Sequence, residues 1–162
     1  MTTVDTSTQT LKLRVSRTFD APRERVFQAW TDPEKLKKWF RPDESIAIML
    51  TKVDLRVGGK YRFQMKHPDG EFYTGVGTYR EVKAPERPVF TWQWEKDGSE
   101  ADFGEVEPGE TVVTLEFHER GKQTEVVLTH ENFASAESRD RHEHGWNGCL
   151  DSLVKFAQEK PL

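Results

Sequence analysis

The chain has 162 residues, the size of one ordinary domain, and 11% of them are aromatic although only 35% are hydrophobic. We therefore expect a core built largely from Phe, Trp and Tyr, because each buried ring removes a large area from water. The net charge of −4 argues against nucleic acid and anionic membrane surfaces as partners. The absence of any run of about 18 apolar residues predicts no membrane span.

The N-terminus and the cysteine content bear on location. Residues 1–10 are polar and rich in threonine, which predicts a disordered tail and not a signal peptide with its basic and apolar regions. Cys149 is the single cysteine, so no disulfide can form within the chain. We expect a cytoplasmic monomer with a single domain over residues 11–160.

The domain is predicted to begin with a strand and two short helices. Apolar and polar residues alternate over 11–19, a pattern typical of a half-buried strand. Asp20 stands two residues before a proline and Asp32 directly before one, and a capping residue followed by proline signals a helix start. The sequence thus predicts one helix over 22–31 and a second that begins at Pro33.

About six strands are predicted to follow as a meander. Apolar residues alternate with polar ones in successive segments over 46–130, separated by turns that contain glycine or proline. Residues 53–57 are predicted to resume the first of these strands after a bulge. Residues 97–110 carry six acidic side chains and no basic one. They predict a solvated loop, with a lid or an acidic docking patch as alternatives.

The last predicted element is a long amphipathic helix over 136–158. Its apolar residues from Trp146 to Ala157 recur at the spacings that place them on one helix face. Gly145 and Gly148 are poor helix formers, and they indicate either close packing against the sheet or a kink. One such helix can cover one face of an antiparallel sheet, so the predicted fold class is α+β.

This order of elements, with particular residues on them, resembles one protein family. The matching residues are Phe19–Pro22, Val26–Pro33, Leu36, Trp39-Phe40, Asp54, Gly58-Gly59, Gly77, Glu81-Val82, Pro85, Phe90–Trp94 and His144–Trp146. In this combination, over about residues 11–159, the chain resembles the activator of heat-shock protein 90 ATPase homologue family, within the START-like (SRPBCC) superfamily. The resemblance implies a helix-grip fold, in which a curved sheet of about 6–7 strands grips the C-terminal helix around a cavity.

The side chains expected between sheet and helix are the candidate site. They either fill this space or line a pocket, and the sequence leaves both open. The predicted cavity-lining residues are Tyr61, Phe63, Met65, Phe90, Trp92, Trp94, Leu115, Phe117, His142, Trp146, Leu150 and Leu153. Together with the resemblance, they predict a non-catalytic domain that binds a hydrophobic small molecule, such as a lipid or an aromatic polyketide-like compound, with no cofactor.

Two other functions are alternatives. The family resemblance, with the basic cluster Lys35–Arg41, favours a chaperone-linked module that activates heat-shock protein 90. A polyketide cyclase or dehydratase would need an acid–base pair in the cavity, such as His142 with Tyr61 or Tyr79.

The remaining histidines and the cysteine are interpreted as structural. His142 and His144 are two residues apart on a helix, so they point about 200° apart and cannot bind one metal together. His130 is predicted to be a hydrogen-bonded core residue, with His118 on the opposite, polar face. Cys149 has no base placed beside it by the sequence pattern, which indicates a buried, inert thiol. No metal site and no catalytic residue are predicted.

Overall fold

The computed structural model describes residues 11–94 and 111–159. Its strands are β1 (Lys12–Phe19), β2 (Ala47–Val53), β3 (Lys60–Lys66), β4 (Phe72–Lys83), β5 (Arg87–Trp94), β6 (Thr111–Arg120) and β7 (Gln123–Glu131). Its helices are α1 (Arg23–Thr31), α2 (Pro33–Trp39) and α3 (Ala136–Glu159). The predicted tail over 1–10 and the predicted acidic loop over 97–110 lie outside the described residues.

The seven strands form one curved antiparallel sheet in the order β1-β7-β6-β5-β4-β3-β2. Neighbours in sequence are neighbours in space from β2 to β7, as in a meander, and β1 closes against β7. Helix α3 lies against the sheet, with Trp146, Cys149, Leu150 and Leu153 buried in the common core. The predicted α+β helix-grip architecture, with two short helices after the first strand, is confirmed.

The start of each short helix follows its local sequence. Asp32 is the N-cap of α2, and its side chain accepts a hydrogen bond of 3.0 Å from the backbone N–H of Glu34. The N-cap of α1 is Pro22, which makes no side-chain cap hydrogen bond. The prediction that placed Asp20 at this helix start was therefore wrong, because the chain is still extended at Pro22.

Strand β2 is shorter than its apolar alternation predicts. It ends at Val53, and Leu55 and Val57 lie in the turn to β3 with 37% and 66% of their surface exposed. The turn closes tightly, because the carbonyl oxygen of Asp54 lies where a Cβ of Gly59 would be. A glycine that admits this close approach ends the strand early, so the predicted continuation of β2 beyond Val53 was wrong.

Helix α3 is held at its middle by a close approach to the segment that follows α2. A Cβ at Gly148 would lie 2.0 Å from the carbonyl oxygen of Pro42, so only glycine fits at this crossing. Gly145, one turn earlier, has only the Cβ of Pro42 nearby, 3.9 Å from where its own Cβ would be. The Ser152 hydroxyl also donates to the carbonyl oxygen of Trp39 over 2.6 Å. Of the two expected roles for these glycines, close packing applies to Gly148.

The two helix glycines are expected to respond in opposite ways to alanine. Gly148→Ala should lower the free energy of unfolding by about 1–3 kcal/mol, because the new methyl group meets backbone that cannot rotate away. Gly145→Ala should raise it by about 0.5–1 kcal/mol, because alanine is the better helix former and ordinary contact space is available. Urea denaturation of the two variants measures both changes, and equal effects would contradict this account of the crossing.

Candidate functional site

A partly open cavity of about 840 Å³ lies between the N-terminal half of α3 and the sheet. From α3 it takes Glu137, Asp140, Arg141, His142, His144, Gly145, Trp146 and Cys149. From the sheet side it takes Met65, His67, Trp92 and Trp94, and from the segment between α2 and β2 it takes Phe40, Pro42, Asp43, Ser45 and Ile46. The inner wall is aromatic and aliphatic, and most of the charged side chains come from α3.

The other half of the space under α3 is filled. A residual void of only about 10 Å³ lies there, lined by rings that include Tyr61, Phe63 and Phe90. Tyr61 stacks on Phe63 at a centroid distance of 5.0 Å and meets Phe90 edge-on at 5.3 Å. A void of this size holds at most about one water molecule, so this half serves packing and not ligand binding.

Three rings separate the open half from the filled half. Phe40, Trp92 and Trp146 line both the cavity and the small void. Trp146 lies 5.4 Å from Trp92 and 5.9 Å from Phe40 between ring centroids. These distances are those of directly packed aromatic pairs, so the three rings form a floor under the cavity.

The structure divides the predicted cavity-lining residues into three groups. Met65, Trp92, Trp94, His142 and Trp146 line the cavity. Tyr61, Phe63 and Phe90 line the small void. Leu115, Phe117, Leu150 and Leu153 line neither and are at most 2% exposed, so the structure corrects their placement from cavity wall to packed core.

The sequence reasoning missed the segment over 40–46, which forms one side of the cavity. This segment has no regular alternation, so no periodicity marks it as a wall. Contacts with α3 bring it to the site: Gly148 lies against Pro42, and Lys155 donates to a carboxylate oxygen of Glu44 over 2.6 Å. Gly148 is a sequence signal for the first of these contacts. His144 is exposed and also lines the cavity.

His142 is fixed in the cavity wall by two hydrogen bonds. Its Nδ1 lies 2.8 Å from the carbonyl oxygen of Ser138, and its Nε2 accepts from the indole N–H of Trp94 over 3.1 Å. A ring that accepts at Nε2 must carry its proton at Nδ1 when neutral, which fits donation to Ser138. This i, i−4 contact on α3 holds the imidazole against the Trp94 ring.

A second histidine links the helix to the sheet beneath the cavity. The indole N–H of Trp146 donates to Nδ1 of His130 over 3.0 Å, and Nε2 of His130 lies 2.7 Å from the hydroxyl of Thr111. That hydroxyl donates in turn to the carbonyl oxygen of Trp92 over 2.8 Å. His130 is 0% exposed, and burial, followed by the nearby His142, lowers its pKa well below the usual 6.5. The neutral ring is the form that this chain of bonds requires.

Cys149 is buried in the cavity wall, where burial raises the pKa of its thiol strongly. Its interpretation as an unreactive thiol agrees with this environment, because the thiolate is the nucleophilic form. Over residues 11–94 and 111–159, no three His, Cys, Asp or Glu side chains converge as metal ligands would. Within the same ranges, no helix has the length and apolar character needed to cross a membrane.

Sequence and structure comparisons place this geometry in a known family. The profile of the family described as "Activator of Hsp90 ATPase homolog 1-like protein" matches residues 20–158. The chain belongs to this family. No curated protein matches the sequence. The solved structures give independent support for the family fold.

Similar solved structures share the whole domain. The AHSA1 protein from Silicibacter pomeroyi is 27% identical, with a TM-score of 0.77 over 92% of this chain and 99% of that one. A protein from Chromobacterium violaceum is 26% identical, with a TM-score of 0.77 over 90% of this chain and 95% of that one. CalU16 from Micromonospora echinospora is 26% identical, with a TM-score of 0.66 over 90% of this chain and 74% of that one.

The buried His130 predicts a pH-dependent stability. The unfolded chain binds a proton at this residue below its usual pKa of 6.5 and the folded protein does not, so the free energy of unfolding should fall as pH drops below that value. One proton accounts for at most about 1.4 kcal/mol per pH unit. In His130→Gln this share of the pH dependence should disappear, since glutamine does not titrate. His118→Gln, on the polar face, is the control, and an identical slope in both variants would contradict the prediction.

Proposed function

We propose that this family member binds a hydrophobic small molecule, such as a lipid or an aromatic polyketide-like compound, in the cavity beside α3. The cavity itself is the observation that carries the proposal. Its volume of about 840 Å³ lies within the range of roughly 300–1,000 Å³ that is common for small-molecule sites. A chain that needed only a packed core would leave no such space beside Trp92, Trp94 and Trp146.

We further propose that the site binds without catalysing a reaction. His142, the candidate base, has both ring nitrogens engaged, by Ser138 and by Trp94. The Tyr61 hydroxyl donates to the carbonyl oxygen of Thr91 and belongs to the filled half of the interior. Burial raises the pKa of Tyr79, the other candidate acid, which makes it a poorer proton donor. These placements support a binding site over an acid–base pair.

The indole N–H signals of the tryptophans offer a direct test of binding. The chain has five tryptophans, which report on different parts of the interior. In proton–nitrogen NMR spectra with a panel of fatty acids and flat aromatic compounds, a cavity ligand should shift the signals of Trp92, Trp94 and Trp146. Trp39, whose indole N–H donates to Ala29 over 2.9 Å away from the cavity, should stay unchanged. Uniform absence of shifts across the panel would reject the proposal.

A matched pair of substitutions locates the ligand. Met65 lines the cavity, and Met65→Trp should fill part of it and weaken binding by about tenfold or more. Met49 is 47% exposed and is not a lining residue, so Met49→Trp makes the same chemical change outside the cavity. Isothermal titration of both variants compares them. Equal affinity in the two variants would place the ligand elsewhere.

A second candidate function follows from the family. The family is described as "Activator of Hsp90 ATPase homolog 1-like protein", and Lys37 and Lys38 on α2 are exposed as a docking surface would be. On this reading, the chain should bind the chaperone and raise its ATPase rate. The double variant Lys37→Glu/Lys38→Glu should weaken both effects, because reversal of rim charges slows association. Lys12→Glu/Lys122→Glu, at other exposed lysines, is the control. Failure of the unmodified protein to bind or activate the chaperone would reject this function.

A further inference from the structure

We propose that the cavity selects apolar, flat ligands that carry a permanent positive charge, such as quaternised nitrogen heterocycles. This inference rests on the proposed binding function and names the chemical class of its ligand. It follows from two features of the lining: walls built largely from aromatic rings, and a mouth with an excess of carboxylates. Among the described residues, the buried indole N–H of Trp92 has no hydrogen-bond partner, so the walls do hold one unused donor.

The walls present ring surfaces more than hydrogen-bonding atoms. Trp94 donates its indole N–H to His142, and Trp146 donates its own to His130, over 3.1 Å and 3.0 Å. The remaining nitrogen of His142 is engaged by Ser138. A ligand that enters therefore meets the π systems of these side chains and of Phe40. The faces of aromatic rings attract cations, and tryptophan does so most strongly.

The mouth of the cavity adds charge of the complementary sign. Among the described lining residues, Asp43, Glu137 and Asp140 are acidic and Arg141 is basic. Asp140 also pairs with Arg139, which is not a lining residue, over 3.1 Å. The lining thus carries more negative than positive side chains, so a cation is attracted and an anion is repelled at the entrance.

Asp43 is kept in its ionised carboxylate form by hydrogen bonds from Ser45. Its Oδ1 accepts from the backbone N–H of Ser45 over 2.8 Å and from the Ser45 hydroxyl over 2.9 Å. These hydrogen bonds lower its pKa below the model-compound value of 3.8, so it is ionised at neutral pH. His67 and His144 lie close enough to contribute to this lowering. Asp43 is therefore a negative group with a fixed position on the side of the cavity that the segment over 40–46 forms.

Three ligands of nearly equal shape test the inference. They are 1-methylquinolinium (a cation), 1-methylnaphthalene (neutral) and 1-naphthoate (an anion). Their affinities are read from the tryptophan indole shifts at pH 8, where histidine side chains are in general neutral. The cation should bind about tenfold more tightly than the neutral compound, and the anion more weakly than either. Added salt should narrow these differences, because it screens the charges at the mouth.

The outcomes separate this inference from the proposed function. If the neutral compound shifts the cavity tryptophans and the cation binds no more tightly, the function stands and the charge preference is rejected. If none of the three shifts any of these signals, both are rejected. Tighter binding of the anion would also overturn the charge preference and would point to Arg141 as the dominant charge.

A matched pair of carboxylate variants adds a second readout. Asp43→Asn should lower the affinity for 1-methylquinolinium about threefold to tenfold, with little change for 1-methylnaphthalene. Asp69→Asn is the control, because Asp69 accepts from the backbone N–H of Glu71 over 2.8 Å in a similar turn and is not a lining residue. An equal loss for the cation and the neutral compound in Asp43→Asn would show a structural effect and reject the electrostatic one.

Discussion

The hydrogen bond from Trp146 to His130 is the contact on which the arrangement of helix and sheet depends. It joins α3 to β7, and the Thr111 hydroxyl extends the link through β6 to the backbone of β5 at Trp92. A buried polar group without a partner costs free energy, and a rotation or slide of α3 would leave the Trp146 indole N–H and Nδ1 of His130 unpaired in the core. The helix is thereby held at one height and one rotation over the sheet. Hydrophobic packing alone, which has no direction, would tolerate small slides.

A fixed helix explains why the interior is filled at one end and open at the other. Large rings occupy the filled half, where Tyr61 stacks on Phe63 and meets Phe90 edge to face. At the open half, the sheet side contributes Met65 and Trp94, while the facing turns of α3 carry polar side chains. Those polar side chains, such as Glu137 and Arg141, extend towards water at the mouth. Trp146 of α3 meets Trp92 at the floor, and above that contact the described side chains leave a space for a ligand.

The sequence predicts the fold far better than it predicts the extent of the cavity. The strands and the helix around Trp146 can both be predicted from the period at which apolar residues recur. The residues predicted in this way do lie in the interior of the fold. The period of the apolar residues cannot show whether a buried side chain packs against another side chain or lines a cavity. Leu115 and Trp92 have the same inward pattern on neighbouring strands, yet one is packed core and the other is cavity wall. That difference depends on the position of α3 over the sheet. The hydrogen bond from Trp146 to His130 fixes this position.

The polar residues of the cavity fall into two groups, one that holds the walls in place and one that carries charge at the mouth. His130, His142 and the two indole N–H groups hold the walls in place, and their hydrogen-bonding capacity is used for that purpose. Asp43, Glu137 and Arg141 lie at the mouth, where they contribute charge but no contact on which the core depends. A change at the mouth can therefore alter which ligands enter without weakening the link between helix and sheet. A change at Trp146 or His130 must alter both. On the proposed function, the ligand class of this protein is set by a few exposed side chains at the mouth, above a floor of packed rings.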